Sequence, residues 1–61
     1  MTVDTDFLFI GVGAVTTPDM LRINITRLLY ASDISVARDM FAAHCESLGA
    51  VLFTEVTGVL L

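Results

Sequence analysis

Apolar and polar positions follow two different periods along this chain, and each change of period marks an element. From Phe7 to Thr16 (FLFIGVGAVT) apolar residues occupy both parities. Such a run suits a strand covered on both faces. Gly11 and Gly13 argue against a buried helix there, and they mark a bulge or a close backbone approach. Thr17-Pro18-Asp19 reads as a turn, because proline presets φ at the first central position and aspartate suits the second. Met20 to Tyr30 then alternates: Leu21, Ile23 and Ile25 point one way, Arg22, Asn24 and Thr26 the other. This predicts a half-buried strand over 20–30, forming a hairpin with 7–16. The alternation slips at Arg27-Leu28-Leu29, where a bulge or a strand end is expected.

The period becomes helical over 33–48 (DISVARDMFAAHCESL). Ile34, Ala37, Phe41, Cys45 and Leu48 form one stripe at spacings of three and four, with His44 on the same side. Ser35, Arg38, Asp39, Ala42 and Glu46 gather opposite. Val36, Met40 and Ala43 widen the apolar side beyond the ~100° that one sheet contact requires, so a second contact surface is expected there. Ser32 or Asp33 suits the N-cap. Gly49 is expected as the left-handed residue that ends the helix. A third strand follows over 50–57, bent or ended by Gly58, and Val59, Leu60 and Leu61 add a further apolar run.

The order β-β-α-β predicts a single small α+β domain over 1–61. A right-handed crossover from the second strand to the third leaves the first between them, in a three-stranded antiparallel or mixed sheet of order 2-1-3. One helix covers one face of such a sheet. The other face needs a second layer, and the simplest supplier is another copy of the chain.

Composition sharpens that expectation. A chain of 61 residues buries only about 60% of its unfolded surface and is marginal alone. Disulfides, metals or oligomerisation usually make up the difference. Cys45 is the only cysteine, so no bridge forms within the chain. One His and one Cys supply too few soft ligands for a structural metal, and no motif points to another cofactor. Oligomerisation is left, and the 56% hydrophobic content agrees with it.

Seven acidic residues against three arginines give a net charge of -4. That balance argues against nucleic acid, which requires a basic footprint, and against an anionic membrane surface. The apolar run from Phe7 to Val15 is shorter than the ~20 residues of a spanning helix. Asp4 and Asp6 precede it where a secretory signal would carry basic residues, so a cytoplasmic location is expected.

Candidate chemistry is sparse. His44 and Cys45 invite comparison with a thiolate dyad, but helix neighbours point ~100° apart. Cys45 lies in the apolar stripe, where a thiol behaves as a small hydrophobe. His44 suits a core edge or an interface, where it would sense pH. Gly11-Val12-Gly13 has neither the third glycine nor the following helix of a dinucleotide-binding turn. Asn24-Ile25-Thr26 matches a glycosylation acceptor but falls inside a strand. In size and expected assembly the chain resembles the small tautomerases. Thr2 stands where their catalytic proline would follow Met1, so nothing is carried over.

The expected function is therefore non-enzymatic: a protein-binding or regulatory chain acting as a homodimer or higher oligomer. Phe7, Phe9, Val36, Met40, Ala43, His44, Leu60 and Leu61 are the expected interface residues. Asp39 and Glu46 form an acidic strip, with Arg38 on the same side, that a basic partner would meet. A host protein is a further partner that size and charge admit, as for a phage or mobile-element accessory protein that blocks a host factor. The alternatives are a small-molecule or catalytic site at the subunit interface, drawing on Arg38, His44 and Cys45, and a structural subunit of a hetero-complex.

Overall fold

A computed structural model describes residues 6–59 of the chain. Three antiparallel strands, β1 (Phe7–Thr16), β2 (Arg22–Ala31) and β3 (Ala50–Gly58), and one helix, α1 (Ile34–Glu46), follow in the order β1-β2-α1-β3. The sheet order is β2-β1-β3. This is the small α+β domain with order 2-1-3 that the pattern predicts, and its most apolar strand is central.

The hairpin between β1 and β2 closes on three residues. Met20 N donates to Thr17 O at 2.9 Å and Thr17 N to Leu21 O at 2.8 Å. Leu21 N also reaches Thr17 Oγ1 at 3.2 Å. Pro18 and Asp19 hold the two central positions of a type I turn, and Met20 takes the left-handed position after it, with φ 68°. Leu21 therefore belongs to the turn and is exposed, where the alternation placed it inward. The expected slip at Arg27-Leu28-Leu29 does not occur. The β1–β2 register runs unbroken from Phe7↔Ala31 to Thr16↔Arg22. Arg27 fits because it sits opposite Gly11 on an edge strand, with its side chain in solvent. The bulge falls instead between β1 and β3, where Ala14 pairs with Phe53 but Val15 pairs with Val51.

Asp33 caps α1, its Oδ1 accepting from Val36 N at 3.0 Å. The helix ends on Ser47 in right-handed conformation, with Ser47 N bonded to Ala43 O. Gly49 is not left-handed, contrary to expectation. Its N–H closes on Cys45 O at 3.3 Å. What requires glycine there is space, because a β-carbon would collide with the Thr16 carbonyl.

Ala37, Phe41 and Cys45, the stripe read from the sequence, are fully buried against the sheet. They pack with Phe9, Val15, Ile25, Leu29, Ala31 and Val56 into one core, with Ile34 at its margin. The β1 glycines allow this approach: a β-carbon on Gly11 would lie 2.6 Å from the Phe41 ring. Leu48, assigned to the same stripe, lies beyond the helix end and is exposed.

Candidate functional site

Antiparallel partners point their side chains to the same face, and residues two apart along a strand share that face. Phe9, Gly11, Gly13 and Val15 of β1 therefore lie beneath α1, with Leu29 and Ile25 beside them on β2 and Val56 on β3. The opposite face collects Leu8, Ile10, Val12 and Ala14 from β1, Leu28 and Tyr30 from β2, and Phe53 from β3.

Among the described residues, that second face carries no layer. Leu8 sits opposite Tyr30 and Ile10 opposite Leu28, so four apolar side chains form one block at one end of the sheet. Leu28 is 62% exposed and Tyr30 64%. Val12 continues the block at 40%, and Phe53 stands near the turn end at 46%. Ala14, between Asn24 and Phe53, is the one fully buried residue on this side. Arg22, Asn24, Thr26, Glu55 and Thr57 supply the polar rim. Leu8 and Ile10 are half-buried by their neighbours. The Cα radius of gyration is 12.9 Å, against about 10.5 Å for a compact domain of this length. The excess reflects an elongated shape, 46 × 22 × 13 Å along its principal axes.

The interface residues expected from sequence divide. Val36, Met40 and Ala43 are exposed on the helix side away from the core, and His44 is half-buried beside them. Phe7 is exposed at the start of β1. Phe9 is in the core beneath the helix, so it offers no surface to a partner. Leu60 and Leu61 lie outside the described residues. The open-face residues Leu8, Ile10, Val12, Leu28, Tyr30 and Phe53 are the ones that residue-level reading did not name. The available signal was parity: these positions fall on the parity opposite to the core positions of each strand.

No dyad forms at His44 and Cys45. Cys45 is fully buried among the core residues, and burial pushes its thiol above the ordinary range. A thiol so placed is protonated at neutral pH and shielded from reagents. His44 lies in the last turn of α1, where Ser47 Oγ donates to its backbone oxygen at 2.6 Å. Asp39, Glu46 and Arg38 are all exposed along the helix. Among the described residues, no three His, Cys, Asp or Glu side chains gather as a metal would require. Nor is any helix among them long and apolar enough to cross a membrane.

No family model matches the chain, and no match was found among curated proteins or solved structures. The functional reading therefore rests on the open face and its surroundings.

Proposed function

We propose that this is a non-enzymatic protein-binding or regulatory chain that works as a homo-oligomer, its open sheet face packed against that of a second copy. The observation that supports this is the uncovered block of Leu8, Ile10, Val12, Leu28 and Tyr30 with Phe53 nearby. Two sheets stack about 10 Å apart with strands within about 30° of each other, and apolar inner faces interdigitate between them. Packing the same face on itself closes with twofold symmetry. Both helices are then on the outside, where the exposed Val36, Met40 and Ala43 and the charged Arg38, Asp39 and Glu46 are free to meet a different protein. A host factor with a basic surface, blocked by such an assembly, is a target that the acidic balance permits.

The test is mass in solution at micromolar concentration, for the wild type and for Leu28→Glu. The wild type is expected as a discrete oligomer. The variant places a charge within the apolar block of the buried face and is expected to halve the assembled mass, while circular dichroism keeps its α+β shape. A folded wild-type monomer overturns the reading.

A further inference from the structure

Among the described residues, β3 has no strand paired along its outer edge, and the hydrogen-bond phase shows which of its groups point outward. Val59 N bonds to Leu8 O at 2.9 Å, so Val59 faces β1. In an antiparallel ladder the inward positions recur every second residue. Thr57, Glu55 and Phe53 therefore bond to Ile10, Val12 and Ala14, their register partners. Thr54, Val56 and Gly58 present their N–H and C=O groups away from the sheet. The register is unbroken from Phe53 to Gly58, because the bulge lies on the other side of Phe53. Pairing with β1 is regular over this part of the strand, with no bulge to break the outward spacing.

The sheet's two edges differ in how they are defended. Natural edge strands are blunted by charge, proline, bulges or short length. The edge at β2 carries Arg22 and Arg27. The edge at β3 runs nine residues, AVLFTEVTG, with Glu55 as its only charge and no proline. We infer that β3 pairs with β3 of a second copy, antiparallel about a twofold axis at Val56, joining two sheets into one of six strands. Val56 then faces Val56, Thr54 faces Gly58, and each outward N–H and C=O of these three residues finds a partner, six bonds in all. Glu55 falls opposite Thr57, so no like charges meet. A centre on Glu55 would also pair outward groups, Thr54 with Val56, but it would set carboxylate against carboxylate at the axis. A β2–β3 contact would join unlike edges, a head-to-tail arrangement that runs on to further copies as a ring or a filament and leaves no twofold pair.

Edge pairing uses none of the open-face side chains except Phe53, so it is independent of the face contact proposed above. Together the two twofold contacts give four chains: two six-stranded sheets stacked face to face, with helices outermost.

The test is Thr54→Pro, which deletes an outward N–H while leaving every β1–β3 bond in place, a position where an edge strand tolerates proline. Thr26→Pro is the matched control on the β2 edge, where residue 26 also points outward. By light scattering, the wild type is expected at four chains per particle, Thr54→Pro at two, and Thr26→Pro at four. A wild-type dimer that Thr54→Pro splits supports the edge contact and removes the face contact. A wild-type dimer that Thr54→Pro leaves intact overturns the edge contact and keeps the other. A wild-type monomer overturns both. Should Thr54→Pro fail to fold, amide hydrogen exchange on the wild type decides. Slow exchange at Thr54, Val56 and Gly58, against fast exchange at Asn24, Thr26 and Leu28, supports the pairing, and equally fast exchange at both edges overturns it.

Discussion

Gly11 and Phe41 compete for one volume: a β-carbon built on Gly11 would stand 2.6 Å from Phe41 Cδ1 and 2.7 Å from Cγ. The ring lies flush against the central strand because there is no side chain beneath it. Gly13 extends the same floor, where an added β-carbon would sit 3.2 Å from Phe41 Cε2. The helix is thus held to the sheet by one large residue over two absent ones. Gly11→Ala is expected to lower stability by about 1–3 kcal/mol, the usual cost of overfilling a packed core. Adding Phe41→Leu should recover part of that loss, so the double variant should cost less than the two single changes summed. Denaturant unfolding of the three variants checks the coupling.

The turn offers the opposite case, a place where nature's residue is strained. Met20 holds a left-handed φ of 68° and is 83% exposed. A non-glycine residue in that region costs about 1–2 kcal/mol, and an exposed side chain returns little packing. Met20→Gly is expected to raise stability by about 1 kcal/mol, seen as a higher midpoint in thermal unfolding. A drop would show that Met20 makes contacts that outweigh its backbone cost.

Asp33 anchors the start of α1 through one bond to Val36 N. Asp33→Ala should cost about 1 kcal/mol, and Asp33→Ser should restore most of it. Helical ellipticity of the folded protein should change little, because the stripe of Ala37, Phe41 and Cys45 still docks on the sheet.

Cys45 makes a prediction in pH. Its folded-state pKa is raised by burial, so the folded chain holds a proton that the unfolded chain releases near pH 8.5. Stability is then fully present below that pH and falls as pH rises from there towards the folded pKa. In Cys45→Ala this alkaline loss should disappear, at the cost of a small cavity. Alkylation by a neutral thiol reagent at pH 7 should be slow in the folded protein and fast after denaturation. Rapid native-state reaction would contradict the buried position.

Much of the fold was legible because single residues report single constraints. The alternation of Ile23, Asn24 and Ile25 sets one strand, and the stripe of Ala37, Phe41 and Cys45 sets the helix and its buried side. The order 2-1-3 followed from a crossover that leaves room for the first strand between the other two, and it puts the most apolar strand in the centre. What was misread involved contacts remote in sequence. Arg27 broke the pattern without breaking the strand, because Gly11 opposite and an open edge leave room for it. Gly49 is fixed by the Thr16 carbonyl and not by its own backbone angle. Phe9 looked like a free surface residue because both parities of β1 are apolar, and only the position of α1 decides which parity is covered. The open face was anticipated as a bare surface. Its members were not, since the pairings Leu8 with Tyr30 and Ile10 with Leu28 depend on register.

The placement of β1 between its two neighbours has a kinetic consequence. Its first partner is joined by a three-residue turn, but its second arrives only after the helix, with Phe9 meeting Gly58. The early hairpin is a local event, whereas the last strand must close a loop that spans most of the domain. Until it does, the central strand waits with one side unsatisfied and its greasiest stretch open to any extended chain nearby. The longer that closure takes, the longer the central strand stays available to pair with other chains.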